Sequence, residues 1–150
     1  MKLFFYLITL SLIVTACSKE SQADINASNR QEIIDYLADN NITDATETSS
    51  GLFVRVVEEG SAEKPSSNSE VTLTYQGTFT DGSSFDGTTT PVTFPLPNLI
   101  LGWQEGIPYF GRGGNGSLYI PSRLGYGQAG RGSIPGNAVL VFDINVIDFD

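Results

Sequence analysis

The chain has 150 residues, with 8 basic and 17 acidic side chains, a formal charge of −9 and no histidine. This length fits one domain, and the acidity excludes a nucleic-acid face or electrostatic docking on anionic lipid. Without histidine there is neither a Ser-His-Asp triad nor a His metal site; one cysteine makes no intramolecular disulfide, and no carboxylates are spaced as a metal cluster, so neither metal nor cofactor is expected.

Met1-Lys2 and a nearly continuous apolar run from Leu3 to Val14 have the form of a secretory leader. The run is too short to span a bilayer, which takes about 20 residues. Val14-Thr15-Ala16-Cys17 follows directly and resembles the bacterial lipobox. That resemblance implies cleavage before Cys17 and acylation of the cysteine, each buried CH₂ contributing about 0.8 kcal/mol to membrane anchorage. Ser18, not Asp, follows the cysteine, which points to the outer membrane. Residues 1–16 are therefore expected to be a signal peptide, and the polar, aperiodic residues 17–27 a tether.

Ser28 and Gln31 have capping-box spacing. Ile33, Ile34, Leu37 and Ala38 then recur at helical period, with Asp35 and Asp39 opposite and Asn40-Asn41 as the stop. An isolated helix this short is marginal, so it has to pack on its own domain or on a partner. With the polar connector Thr43–Ser50 it makes a unit, 28–50, ahead of a domain over 51–150.

Leu52 to Val57 is β-branched and aromatic and reads as a strand; Glu58 to Glu70 is an acidic surface loop. From Val71 to Phe79 the chain alternates, with Val71, Leu73, Tyr75, Gly77 and Phe79 on the core face. Asp81-Gly82 is a hairpin turn. The return strand starts at Ser83, is expected to break over Gly87–Pro91, and resumes at Val92-Thr93-Phe94. Asp86, between Phe85 and Gly87, reads either as an Asp-Gly turn residue or as part of a site.

Leu99-Ile100-Leu101-Gly102-Trp103-Gln104-Glu105-Gly106 holds the single tryptophan. Residues 100–107 are expected to form a short helix, with Trp103 either in the core or at the floor of a pocket. Gly111 to Gly116 is a glycine-rich turn that lacks the Lys-Ser/Thr pair of a phosphate loop. Ser117 to Ile120 is a strand stopped by Pro121. Arg123 to Asn137 is a long loop, a length that usually accompanies function. Val139 to Phe149 alternates, with Leu140, Phe142, Ile144 and Val146 on the buried face and Val139 and Val141 opposite. The element order predicts an α+β domain, a curved antiparallel sheet wrapped around one short helix.

Several of these fragments, in order over about residues 51–149, resemble the FKBP-type peptidyl-prolyl isomerases. They are Val71–Thr78 with Asp81-Gly82 and Phe85-Asp86; Gly102–Gly106; Ile120-Pro121 with Leu124–Gly127; and Ile134–Asp143. The resemblance implies a proline pocket between sheet and helix. Its catalytic walls would be Tyr75, Phe85, Asp86, Tyr126 and Phe142 over a Trp103 floor, and Leu99, Ile100, Ile134 and Val92 would bind substrate. The Ile100 N–H and the Tyr126 hydroxyl would donate to substrate carbonyls. Asp86 would orient polar groups. Isomerising an X–Pro bond makes and breaks no covalent bond, which suits a chain without histidine. The implied protein is a monomeric, lipid-anchored isomerase acting on proline-containing polypeptides of the cell envelope. The alternative is a catalytically weak proline-peptide-binding module or chaperone on the same fold; a structural surface lipoprotein with a β-sandwich leaves the Trp103 stretch and the Tyr126 loop without a purpose.

Overall fold

Alternating strands joined by two short hairpins and three longer connections make one antiparallel sheet. The computed structural model describes residues 21–150. In chain order these form helix α1 (Gln22–Asp39), strands β1 (Thr46–Glu47), β2 (Phe53–Glu58), β3 (Glu70–Thr78) and β4 (Ser84–Pro95), helix α2 (Leu101–Gly106), and strands β5 (Asn115–Ile120) and β6 (Leu140–Phe149). The six strands run β1-β2-β5-β6-β3-β4 with every neighbouring pair antiparallel. This is the α+β architecture expected from the element order, with a second helix on the other face.

The core face of the sheet closes on α2. Val71, Leu73, Leu118, Ile120, Leu140, Phe142, Ile144 and Val146 pack there against Trp103 and Ile107. Helix α2 lies close to the strands because two of its residues are glycines. A Cβ on Gly102 would fall 2.5 Å from Ile120 Cγ2, and one on Gly106 2.5 Å from Leu118 Cδ2. The helix start is pinned from behind. The Gln104 side chain donates to the carbonyls of Leu99 (2.7 Å) and Pro97 (3.2 Å), and the Ile100 carbonyl accepts from the Trp103 and Gln104 N–H groups.

The opposite face carries α1. Ile33 and Leu37 pack on Phe53, Tyr119, Val139 and Val141, which are cross-strand neighbours in β2, β5 and β6 or directly precede them. Val139 and Val141, expected on the open face, are therefore 2% and 3% exposed. Alternation reports that two faces differ; it does not report that a helix covers the second one.

Three boundaries differ from expectation. Helix α1 starts six residues before Ser28: Ser21 caps it, accepting from the Asp24 N–H while Asp24 accepts from the Ser21 N–H. Ser21-x-x-Asp24 is itself a capping pair, and the earlier cap keeps Ile25 on the buried stripe with Asn29, Ile33 and Leu37. Residues 22–27 are thus helix, not tether. The leader, the lipobox and Cys17 lie outside the described residues. Strand β4 does not break at Gly87–Pro91. Tyr75 pairs with Thr88 and Leu73 with Val92, so three residues of β4 bulge past Thr74. The bulge and the edge position absorb the missing N–H of Pro91. Strand β1 adds a two-residue edge that the connector composition did not announce.

Replacing Gly102 by Ala is expected to destabilise the domain despite better helix propensity. The helix would gain about 1 kcal/mol, but the new methyl meets Ile120, a stiff, fully buried β-branched side chain, and overpacking costs about 1–3 kcal/mol. A urea midpoint that rises for Gly102→Ala would show that the close approach is not required.

Candidate active site

Between β3, β4, α2 and the 121–138 loop lies a cavity of about 510 Å³. Tyr75, Phe85, Asp86, Leu99, Ile100, Trp103, Tyr126, Ile134 and Phe142 all line it. These nine come from three strands, one helix, the Leu99-Ile100 segment that leads into it and one loop, and the sheet register explains the meeting of the strand residues. Gly77 pairs with both Asp86 and Phe142, and Tyr75 with Ile144.

Trp103 is the hub of the floor. Its ring meets Tyr75 at 5.1 Å and 83° and Phe142 at 5.0 Å and 83°, with Phe94 at 6.4 Å. Phe85 meets Phe142 edge-on at 5.4 Å and 89°. Such edge-to-face pairs are favoured by the ring quadrupoles, by about 0.5–1.5 kcal/mol each beyond area burial. Trp103 is 4% exposed, so it is core on one side and floor on the other. Its indole N–H is buried and meets no acceptor among the described residues, a cost that binding sites carry more often than ordinary cores.

Gly77 makes the wall possible. A Cβ there would lie 2.8 Å from both the Phe85 and Phe142 rings. A strand glycine at such a point marks a close approach of side chains from the neighbouring strands.

The polar side chains of the lining are Tyr75, Tyr126, Asp86, Asn98, Arg131 and Ser133, the last four exposed. Asp86 accepts from the Tyr75 hydroxyl (2.8 Å) and from the Gly87 N–H (2.8 Å), so its two oxygens are engaged in orientation. Burial first, then this bond to Asp86, pushes the Tyr75 phenol up to about 12. The Ile100 N–H meets no acceptor among the described residues and belongs to a cavity-lining residue. Arg131 sits over Tyr126, its guanidinium 5.8 Å from the ring centre.

Val92 is the exception among the expected residues: it is half-buried opposite Leu73 and does not line the cavity. Phe94, two residues on and on the same face, lines it instead, because its longer side chain reaches Tyr75 and Trp103. The period of two that marks Val92 marks Phe94 equally. Asn98, Arg131, Gly132 and Ser133 also line the cavity and were not expected to; loop-tip residues have no periodicity to reveal them. A second, more open groove of about 660 Å³ runs along α1 beside Glu32, Asp35, Asp39 and Thr80. Its acidic walls keep it wet, so it cannot desolvate an amide as the aromatic cavity can.

The family model of the FKBP-type peptidyl-prolyl cis-trans isomerases matches residues 61–147. The chain is 40% identical over 133 residues to the FKBP-type peptidyl-prolyl cis-trans isomerase FkpA of Aeromonas hydrophila, covering 85% of this chain and 50% of that protein. It is 42% identical over 104 residues to FkpA of Escherichia coli strain K12, covering 67% and 38%. The chain thus spans half or less of the length of these relatives. Among solved structures, a peptidyl-prolyl cis-trans isomerase from Pseudomonas syringae superposes with a TM-score of 0.76 at 28% identity, covering 89% of this chain and 98% of that one. The crystal structure of Escherichia coli FkpA gives 0.71 at 33% identity, covering 86% and 64%.

The Tyr75 phenol holds its proton more tightly folded than unfolded, so its contribution to stability is complete below pH about 10 and is lost as pH rises towards about 12. Asp86→Ala should lower the Tyr75 titration while leaving it above 10, since burial is the larger cause. Tyrosinate absorbance against pH measures this; an unchanged titration would separate Asp86 from Tyr75.

Proposed function

Because the chain belongs to the FKBP-type peptidyl-prolyl cis-trans isomerase family, we propose that it catalyses cis–trans isomerisation of X–Pro bonds in polypeptides. The observation that carries this is the edge-to-face aromatic box around Trp103, which floors a cavity whose charged lining residues, Asp86 and Arg131, are exposed.

The barrier to rotation, about 18–20 kcal/mol, is amide resonance. In the planar amide, resonance places partial negative charge on oxygen; twisting the C–N bond removes it and leaves a less dipolar group. Water stabilises the planar form more than the twisted one. A proline seated on Trp103 between Tyr75, Phe85 and Phe142 leaves that water behind, so the twisted amide loses less than the planar one. The Ile100 N–H and the Tyr126 hydroxyl hold the flanking carbonyls while the bond turns. Asp86 takes no proton from substrate: it fixes Tyr75, whose hydroxyl would otherwise compete for the carbonyls. No residue acts as a nucleophile or as a general base.

We further propose that Cys17 is acylated after cleavage of residues 1–16, so that the domain is held at the outer membrane and acts on exported polypeptides. The lipobox-like Val14-Thr15-Ala16-Cys17 at the end of the leader supports this reading. Among the described residues no helix is long and apolar enough to cross a membrane. The protein would act as a monomer. In support, the apolar stripe of α1 is already spent on its own sheet, which leaves Ile33 and Leu37 no face for a second copy.

Two measurements test these readings. In a protease-free assay the chain should accelerate isomerisation of a Leu-Pro peptide, and Trp103→Leu should lower kcat/KM at least about tenfold, equivalent to about 1.4 kcal/mol of transition-state stabilisation. Peptide binding by Trp103 emission without any acceleration would place the chain with binding modules instead. For the anchor, the mature protein should enter the detergent phase with a mass starting at acylated Cys17, and Cys17→Ser should abolish both; wild-type protein found wholly in the aqueous phase would remove the lipid reading.

A further inference from the structure

The loop that carries Tyr126, Arg131 and Ile134 into the pocket is hydrogen-bonded mainly within itself, with Arg123 donating to the Ser50 carbonyl. It makes an isolated bridge between Arg131 and Ile134, and its tip is exposed. Its two ends, however, meet at a single side chain that lies outside the segment matched by the family model. Asn29, on α1, is 3% exposed. Its Oδ1 accepts from the Ser122 N–H at 2.8 Å, and its Nδ2 donates to the Asn137 carbonyl at 2.9 Å.

The same two loop residues hold the residue next to Tyr126. The Ser122 carbonyl accepts from the Gly127 N–H at 2.8 Å, and the Gly127 carbonyl accepts from the Asn137 N–H at 2.9 Å. The four bonds close a ring: Asn29, Ser122, Gly127, Asn137 and back to Asn29. Each member donates once and accepts once around it. The ring also fixes the Asn29 amide, because a flipped amide would set oxygen against the Asn137 carbonyl and NH₂ against the Ser122 N–H. Asn137 adopts φ 63°, a left-handed conformation that asparagine tolerates better than most side chains, and this conformation is part of the closure. A second tie runs from the same helix, Gln128 Nε2 donating to Gln22 Oε1 at 2.9 Å.

A buried asparagine on an apolar helix stripe between Ile25 and Ile33 is costly to hold for packing alone. Alanine or leucine would bring no amide to satisfy, but would leave the Ser122 N–H and the Asn137 carbonyl without this partner. We propose that Asn29 is a positioning residue: it clamps both ends of the 122–137 loop and so sets where Tyr126 stands against the pocket floor. Helix α1 is on this view a part of the isomerase site, reaching it through the two ends of the loop.

The kinetic arm of the test rests on the isomerase reading; the others do not. Without the clamp the loop samples several arrangements, and peptide affinity falls by the fraction of time the loop is in place. Asn29→Ala should therefore raise KM about 3- to 30-fold while kcat changes less, and weaken peptide binding by Trp103 emission by the same factor. Asn29→Asp keeps an acceptor for Ser122 but turns oxygen towards the Asn137 carbonyl, so its defect should be at least as large. Ile33→Val loosens the same helix seam without touching the ring; it should lower the unfolding midpoint and leave KM within twofold. In the wild-type protein, hydrogen exchange should protect the Gly127 and Asn137 amides and release them together with the amides of α1. If the wild-type chain shows no isomerase activity, emission and exchange still decide the clamp. An Asn29→Ala protein with wild-type KM or peptide affinity, an Ile33→Val protein with an equal KM defect, or Gly127 and Asn137 amides that exchange far faster than α1 would each overturn the proposal; the last reading needs no variant to fold.

Discussion

The site depends on how closely α2 approaches the sheet. A tryptophan set on a helix at an ordinary distance from a sheet, about 10 Å, fills the gap as core. With Gly102 and Gly106 turned to Ile120 and Leu118, the helix drops closer, and the Trp103 ring meets both Tyr75 and Phe142 edge-to-face, the two strand-borne rings themselves 6.1 Å apart. Its remaining face then has nothing above it but the cavity. The two glycines cost helix propensity, which a six-residue helix can ill spare. The helix is held by tertiary contacts, among them the return bonds from Gln104 to the Leu99 and Pro97 carbonyls.

The same economy of space operates on the sheet. Gly77 is the point where the Phe85 and Phe142 rings would otherwise be kept apart, and it pairs in register with Asp86 on one side and Phe142 on the other. Two glycines on the helix side of the pocket and one on the sheet side therefore trade backbone rigidity for aromatic contact. Asp86 spends both oxygens on Tyr75 and Gly87, and a floor made of aromatic rings suits a reaction whose obstacle is resonance.

How much of this was legible in the sequence divides along the range of the signal. Strand alternation put Val71, Leu73 and Tyr75 on the core face, and Asp81-Gly82 marked the hairpin, because period and turn chemistry are local; Gly82 does adopt φ 84°. The ordered motifs then named nine of the residues lining the cavity. What was not legible depends on contacts distant in the chain. Val139 and Val141 look like an open face until α1, about 100 residues earlier, covers them. Val92 and Phe94 share one face, and only the reach of the ring decides which one lines the pocket. Ser21-Asp24 and Ser28-Gln31 both have capping spacing, and the choice between them is made by where Ile25 and Asn29 have to lie. Pro91 read as a break because a proline removes a ladder donor, yet β4 is an edge strand with a bulge at that point and has no donor to lose.

These long-range contacts change what counts as the working domain. The sheet carries the pocket on one face and α1 on the other, and Phe142 and Val141, adjacent in β6, belong one to each. The helix also reaches the hairpin tip, where Thr80 donates to Glu32 at 2.6 Å, close in sequence to the Phe85 end of the wall. Helix α1 thus touches the supports of the pocket at three separate places: the hairpin, the centre of the sheet and the loop. A spacer would need none of them. The boundary between a 28–50 preface and a 51–150 domain, natural to composition, has no counterpart in the contacts, and the unit that shapes the cavity begins at the Ser21 cap.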